Sequence, residues 1–191
     1  MKTNLSIKFI LISFTLTFLN SCVITNTPGF YNGYKKLTPE EKSSVVMLSS
    51  DSKLETLTNN RQIVAINGKQ LGEYSKNIET LVVYRWSPNC SSDVCILISA
   101  CQEYCNSKGY KLVVVSEYYD IEKMEFQNTG NLPILIPNHI YYKKYYANSL
   151  NNLFFKDLLN GNELIEEEKY NRFLFFNRGK FIESRRDLFN E

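Results

Sequence analysis

The sequence lacks an excess of charge of either sign, since 22 Lys and Arg residues stand against 20 Asp and Glu, for a formal net charge of +2. This balance leaves no basic footprint for nucleic acid, and no nucleic-acid partner is expected. No internal repeat or low-complexity block occurs, which excludes a repeat architecture. No apolar run reaches the length of about 20 residues that a membrane-spanning helix requires.

Aromatic and aliphatic residues, by contrast, are plentiful. Hydrophobic residues make up 43% of the sequence, with 13 Tyr and 12 Phe, a content that indicates a well-packed interior and excludes a disordered chain. The length of 191 residues suits one domain that buries a core without needing disulfide staples. Because the cysteines number five, at least one thiol lies outside any intramolecular disulfide.

The N-terminal 22 residues have the anatomy of an export signal. Lys2 and Lys8 precede an uncharged apolar run at residues 9–19, whose length suits the core of a signal peptide. The run ends in Leu19-Asn20-Ser21-Cys22, which resembles the lipobox of bacterial lipoproteins, where the cysteine is lipidated and becomes the mature N-terminus. The resemblance implies that residues 1–21 are a lipoprotein signal peptide and that Cys22 carries the lipid.

Lipidation of Cys22 would anchor the protein to a membrane of the bacterial cell envelope, facing the periplasm or the exterior. A diacylglyceryl group plus an N-acyl chain such as palmitate holds a protein stably, whereas a single chain holds it only marginally. Signal removal takes away two lysines and no acid, so the processed chain is formally neutral. Its other four cysteines would lie outside the inner membrane, where disulfides persist.

The exported part divides into a tether and a domain. Residues 22–45 contain Asn, Thr, Pro and Gly without apolar periodicity and are predicted to be a lipidated tether. Within this tether, Thr38-Pro39-Glu40-Glu41 predicts a helix start, with an N-cap, a proline in the first turn and acids after it. Residues 46–191 are predicted to form the folded domain.

The domain sequence alternates between strand and helix patterns. Five segments are predicted to be strands, at residues 61–66, 80–86, 111–116, 172–176 and 180–182. Three are predicted to be helices, at residues 69–77, 91–107 and 140–159. The order β-α-β-α-β-α-β-β indicates an α/β fold whose mixed sheet has helices on both faces and a closing antiparallel hairpin.

A cysteine pair follows the second predicted strand. The strand ends at Trp86, the turn Ser87-Pro88-Asn89 leads to Cys90, and Cys95 lies five residues further on. A helix predicted to begin just after Cys90 would stabilise a thiolate there and lower the pKa of the cysteine. This strand–turn–helix, with Trp ahead of the first cysteine, resembles the active-site region of the thioredoxin superfamily, whose domains also close with a β-hairpin.

The resemblance covers residues 60–185 and implies a thioredoxin-like three-layer α/β/α sandwich with a mixed sheet. It also implies thiol–disulfide exchange with a protein partner. In that reaction Cys90 would be the nucleophile and Cys95 the resolving thiol, with Trp86 and Pro88 shaping the site. No cofactor is expected.

Two features depart from the thioredoxin pattern. Thioredoxins place two residues between their cysteines, whereas Cys90 and Cys95 have four between them. The family also carries a proline ahead of the final hairpin, where this chain has Tyr170-Asn171-Arg172. A non-catalytic domain with a structural or binding role is therefore an equal alternative.

Two other families share parts of the motif. The step Ser87-Pro88-Asn89-Cys90 and the spacing to the second cysteine resemble atypical two-cysteine peroxiredoxins, so a thiol peroxidase is the third hypothesis. It ranks third because no arginine can be assigned to the thiolate: Arg85 is predicted to point away from the strand face of Trp86. The Asp93-Val94-Cys95 sequence resembles copper-binding Sco-type proteins. The only histidine, His139, is predicted to be a solvated loop residue, so no metal site is expected.

Cys101 and Cys105 are predicted to have a different role. On a helix over residues 91–107 they share the apolar side, while Cys95 falls on the polar side. Their spacing is too wide for an unstrained disulfide, and we predict that both are free core residues.

Polar residues also follow the third predicted strand, in the sequence Tyr118-Tyr119-Asp120. Sites in open α/β sheets lie beyond the carboxyl ends of the strands. We therefore predict that these residues border the Cys90 site.

Overall fold

A computed structural model describes residues 29–59, 61–90 and 95–189. The predicted signal peptide, the lipidation site at Cys22 and the first part of the predicted tether lie outside the described residues. Within the described ranges, no helix has both the length and the apolar character that crossing a bilayer requires.

Seven strands and six α-helices form within these ranges. The strands are β1 (Val45–Met47), β2 (Ile63–Ile66), β3 (Leu81–Trp86), β4 (Lys111–Ser116), β5 (Leu135–Pro137), β6 (Phe173–Asn177) and β7 (Lys180–Arg185). The helices are α1 (Pro39–Ser43), α2 (Gly68–Ser75), α3 (Ile98–Ser107), α4 (Ile121–Gln127), α5 (His139–Tyr142) and α6 (Ala147–Leu158).

The strands join one mixed sheet in the order β1-β2-β5-β4-β3-β6-β7. The first five in this order are parallel, β6 runs antiparallel to β3, and β7 runs antiparallel to β6. The α/β class, the mixed sheet and the closing hairpin predicted from the sequence are confirmed.

Helices cover both faces of the sheet, and each face has its own core. Consecutive residues of a strand point to opposite faces. Accordingly, Val82 packs in the cluster that includes residues of α3 and α4, and Val83 packs in the cluster that includes residues of α2 and α6. The central strands are buried on both sides, which explains their nearly continuous apolar sequences.

The segment ahead of β1 is held against the domain. Thr38 caps α1 by accepting a hydrogen bond from the Glu41 backbone, while the Glu41 carboxylate accepts one from the Thr38 backbone, so the predicted helix start is confirmed. Further upstream, the buried Asn32 accepts from the backbone N–H of Tyr119 (2.7 Å) and donates its own to the carbonyl of Tyr145 (2.8 Å). The described part of the predicted tether thus contacts the domain at several points.

The single helix predicted over residues 140–159 is wrong. The structure has two helices there, because Lys143 adopts a left-handed conformation (φ 52°) that ends α5. Between the two helices, the chain pairs with the N-terminal segment: Tyr146 forms an antiparallel bridge with Tyr31. A tertiary contact therefore overrides the helical pattern.

Three elements were not predicted, namely β1, α4 and β5. The two strands have three residues each, too few to show a periodicity of two. The strand β5 lies between β2 and β4, and its last residue, Pro137, pairs with Ile66.

Candidate functional site

Cys90 and Cys95 form a disulfide, with their Cα atoms 5.8 Å apart. Both residues are half-buried. Trp86, the last residue of β3, is buried, and so is Pro88 in the turn that follows. The backbone N–H of Cys90 donates to the carbonyl of Ser87 (3.1 Å), which closes this turn. The pair singled out from the sequence is therefore brought together at the carboxyl end of a central strand.

The helix predicted to begin after Cys90 is misplaced, since α3 begins at Ile98. Cys95 precedes that helix, so its predicted place on the polar side of a helix is wrong. Tertiary hydrogen bonds occupy the backbone around the start of α3: the Tyr84 hydroxyl donates to the carbonyl of Ile96 (3.0 Å), and the Gln127 side chain accepts from the N–H of Ile98 (3.3 Å). The N-terminal dipole of α3 consequently does not begin at Cys90.

Residues that follow β4 hold the turn before the disulfide. The Tyr118 hydroxyl oxygen accepts hydrogen bonds from the backbone N–H of Asn89 (3.0 Å) and from the Ser87 hydroxyl (3.4 Å). The Asn89 side chain donates to Asp120 (3.1 Å) and accepts from Lys123. The prediction that Tyr118 and Asp120 border the site is confirmed, whereas Tyr119, predicted with them, packs against the rings of Tyr34 and His139.

An arginine lies against the disulfide. Nη2 of Arg172 is 3.8 Å from Sγ of Cys90, and Nη1 is 3.3 Å from the carboxylate of Glu117. Both charged side chains are about three-quarters buried, with exposed fractions of 23% and 25%, so solvent screens the pair only partly. A positively charged group beside a cysteine favours the thiolate over the thiol.

Sheet pairing places Arg172 there. The residue directly precedes β6, the antiparallel neighbour of β3, and its carbonyl accepts from the backbone N–H of Arg85 (2.7 Å). Glu117 directly follows β4, the other neighbour of β3, and its N–H donates to the carbonyl of Trp86 (2.9 Å). Neither residue is predicted from the sequence to belong to the site. The available signal was their position at the ends of strands expected to flank the Trp86 strand.

Arg85 points away from the Trp86 face, as predicted. Its guanidinium lies over the ring of Phe155, 4.7 Å from the centroid, in the core cluster on the opposite face from that of Trp86. It donates to the carbonyl of Lys169 (2.7 Å), and burial lowers its pKa. The arginine that reaches the cysteine is therefore the distant Arg172, and Arg85 packs behind the sheet.

A polar cleft of about 530 Å³ opens beside the turn. Its lining includes Arg85, Ser87, Asn89, Glu117, Tyr118 and Asn151. The Asn151 amide donates to the carbonyl of Glu117 (3.1 Å), which joins α6 to the strand ends. The cleft therefore presents charged and amide groups beside the turn that leads to Cys90.

Cys101 and Cys105 are free and fully buried on α3, so the prediction that they are core residues is confirmed. Burial raises the pKa of Cys105 to about 12 and raises that of Cys101 as well. Both thiols are therefore protonated at neutral pH and are poor nucleophiles.

His139 is buried, with 2% of its surface exposed, so its prediction as a solvated loop residue is wrong. It begins α5 and packs against the ring of Tyr34, with centroids 4.2 Å apart. Burial lowers its pKa, and its Nδ1 atom has no hydrogen-bond partner among the residues that the structure describes. Among the described residues, no group of three or more His, Cys, Asp or Glu side chains is arranged to hold a metal ion.

Comparison of the chain with protein-family models, curated proteins and solved structures gave no match. Function is therefore inferred from the chemistry of the site.

Proposed function

We propose that this protein is a lipoprotein of the bacterial cell envelope, anchored through Cys22, whose thioredoxin-like domain performs thiol–disulfide exchange at Cys90 and Cys95. The observation that carries the proposal is the disulfide itself, which follows a central strand and has a guanidinium group against one sulfur. A positively charged group beside a reactive cysteine favours its thiolate form.

The arrangement of elements supports a thioredoxin-like domain. The cysteines lie between β3 and α3, β4 returns parallel to β3, and the β6–β7 hairpin packs on the other side of β3. Thioredoxins carry a proline just before the strand that opens the final hairpin, whereas the residue directly before β6 in this chain is Arg172, which faces Cys90.

The exchange proceeds through two displacements. The Cys90 thiolate attacks one sulfur of a substrate disulfide; a new S–S bond forms, the substrate bond breaks, and the leaving sulfur takes a proton from water. Cys95, deprotonated, then attacks Sγ of Cys90 and releases the second substrate thiol. The substrate gains two electrons, the Cys90–Cys95 disulfide forms, and a dithiol protein partner must reduce it for another turnover.

The activity test uses full-length protein in detergent micelles with insulin as the disulfide substrate and dithiothreitol as the electron source. We expect catalysed reduction that Cys90→Ser abolishes. Cys95→Ser should instead trap a mixed disulfide on Cys90, detectable by mass spectrometry. The matched control Cys105→Ala should retain activity, because that thiol is buried and takes no part in the disulfide.

Activity that survives Cys90→Ser would contradict the assignment of the nucleophile. The non-catalytic alternative predicts no insulin reduction and a disulfide that resists the glutathione pool, with a reduction potential below about −300 mV. A redox titration of the Cys90–Cys95 pair therefore separates the two hypotheses.

The anchor is tested separately by metabolic labelling with a fatty-acid probe in a bacterial host. Cys22→Ala should abolish labelling and block removal of residues 1–21, whereas Cys105→Ala should leave both unchanged. Labelling that persists in Cys22→Ala would exclude this lipidation site.

A thiol peroxidase is the second candidate, and the contact between Arg172 and Cys90 favours it. The Cys90 thiolate would attack a peroxide oxygen, break the O–O bond and become a sulfenic acid, with release of water or an alcohol. Cys95 would then displace water and form the disulfide. Rapid oxidation of the reduced protein by stoichiometric hydrogen peroxide, with sulfenic acid accumulating in Cys95→Ser, would establish this reaction over simple exchange.

A further inference from the structure

Two segments that are distant in sequence form one exposed surface, here called the aromatic–lysine surface and defined as residues 30–36 and 140–146. The ring of Tyr31 stacks on that of Tyr146, with centroids 4.8 Å apart, and Phe30 packs edge-on against the same ring (5.4 Å). Nζ of Lys35 lies 4.1 Å from the centroid of the Tyr145 ring. These contacts join the two segments into one surface.

Its composition is unusual for a protein surface, because large rings and aliphatic groups remain accessible. The residues concerned are Phe30, Ile140, Tyr141, Tyr145 and Tyr146, with exposed fractions from 38% to 59%. Four exposed lysines accompany them, namely Lys35, Lys36, Lys143 and Lys144. Neither segment contains Asp or Glu, so the surface combines aromatic groups with positive charge.

The surface lies at the end of the sheet that also carries the disulfide. Residues 30–36 dock on Tyr119, just after β4, and residues 140–146 follow β5, while Cys90 follows β3. The tip of the β6–β7 hairpin is at the opposite end, because Phe176 pairs with Leu81 at the start of β3.

The place where the described chain begins connects this surface with the predicted anchor. Six residues separate Cys22 from Gly29, a length that spans at most about 25 Å when fully extended. Since the chain is already fixed to the domain at Tyr31 and Asn32, a lipid on Cys22 could not move far from this surface.

We propose that the aromatic–lysine surface lies against the headgroups of an anionic bilayer, an inference that rests on the proposed lipidation of Cys22. Tyrosine rings favour the interface between headgroups and acyl chains. Lysines near a membrane surface are attracted by anionic lipids and extend their ammonium groups to the headgroup phosphates. The bilayer would then lie at the end of the domain that carries the Cys90–Cys95 disulfide.

The test uses the lipidated protein in phosphatidylcholine vesicles with and without phosphatidylglycerol, and in detergent micelles. Lysines are acetylated with a water-soluble reagent and read by mass spectrometry. We expect Lys35, Lys143 and Lys144 to react at least threefold more slowly on the phosphatidylglycerol vesicles. Lys76 and Lys180, at the opposite end of the sheet, should react equally in all three samples, and added salt should remove the protection.

A charge reversal provides the matched comparison. In the double variant Lys35→Glu/Lys144→Glu, protection of Lys143 should be lost, while Lys76→Glu/Lys180→Glu should keep it. Equal protection on both vesicle types, or a uniform change at every lysine, would overturn the proposal. Protection that grows with protein concentration in micelles would instead show a contact between two copies of the chain.

Failure of the anchor is recognised independently, by absence of the fatty-acid label. The unlipidated protein is then floated with the same vesicles at low ionic strength. Flotation with phosphatidylglycerol alone would support the surface without the anchor, and absence of flotation would overturn it. Neither result depends on the thiol chemistry of Cys90.

Discussion

The guanidinium of Arg172 lies 3.8 Å from the sulfur of Cys90, although the two residues are 82 positions apart in the chain. The contact exists because β6 pairs with β3 in antiparallel register and so places the residue before β6 beside the turn after β3. Glu117 approaches the same guanidinium from the opposite neighbour of β3. The guanidinium of Arg172 therefore joins the turn after β3 to the residue after β4.

Replacing Arg172 should raise the pKa of the Cys90 thiol in the reduced protein. Loss of a cation from the neighbourhood of a thiolate shifts the pKa by about one unit, so Arg172→Met should slow alkylation by iodoacetamide at pH 7 by about tenfold. The pH profile of the alkylation rate measures the shift directly. Arg172→Lys should keep a positive charge beside Cys90 and so show a smaller rise in pKa. Arg186→Met, which removes an exposed arginine, is the control. An unchanged profile in Arg172→Met would remove the electrostatic role.

The two buried thiols should make the fold sensitive to alkaline pH. The folded-state pKa of Cys105 is about 12, against about 8.5 for a thiol in an unfolded chain. Its stabilising contribution is therefore complete below pH 8.5 and is lost as the pH rises toward 12. Between pH 8 and 10, wild-type protein should lose about 1–2 kcal/mol more unfolding free energy than Cys105→Ala.

Denaturant titrations at the two pH values measure this difference, and Ser107→Ala on the exposed side of the same helix serves as the control. A parallel loss in Cys105→Ala and wild type would contradict the prediction. Under native conditions at pH 8, alkylation of Cys101 and Cys105 should also require prior unfolding of the protein.

Burial of His139 should make the free energy of unfolding sensitive to acid pH. Its pKa is lowered in the folded protein because burial disfavours the charged ring. The stability that this residue contributes is therefore present above pH 6.5 and is lost as the pH falls through the lower folded-state pKa. His139→Phe keeps an aromatic ring beside Tyr34 and should reduce the loss of unfolding free energy between pH 7 and 5 by about 1 kcal/mol. Identical acid profiles for the variant and wild type would exclude this contribution.

Two glycines of α2 should respond differently to alanine. At Gly68, an added Cβ would overlap the carbonyl oxygen of Phe154 and lie 2.7 Å from the backbone nitrogen of Leu158, both in α6. Gly68→Ala should therefore separate the helices and cost about 2 kcal/mol or more of unfolding free energy. At Gly72 the nearest atom would be 3.6 Å away, so Gly72→Ala should be neutral or stabilise by up to about 1 kcal/mol. Thermal and denaturant unfolding of the two variants measure the contrast, and equal effects would contradict it.

Local patterns predicted the parts of the fold that depend on neighbouring residues. The strands around Val83 and Val114 were recognised from β-branched runs, and the start of α1 from its capping sequence. Errors occurred where distant segments compete for the backbone. Pairing of Tyr31 with Tyr146 interrupts a helical pattern, and the hydrogen bond from Tyr84 to Ile96 lies in the stretch ahead of the delayed start of α3. Neither competitor is visible within a local window.

The sequence by itself determined the α/β class, the closing hairpin, the burial of Cys101 and Cys105, and the position of Cys90 after a central strand. Each of these depends on apolar periodicity, turn residues or spacing along one segment. Only the tertiary structure decided which groups surround the Cys90 sulfur and where the aromatic–lysine surface forms. Those contacts depend on the strand order β4-β3-β6 and on docking of the N-terminal segment. Burial across the whole sheet stabilises such long-range pairings, and no single segment encodes them.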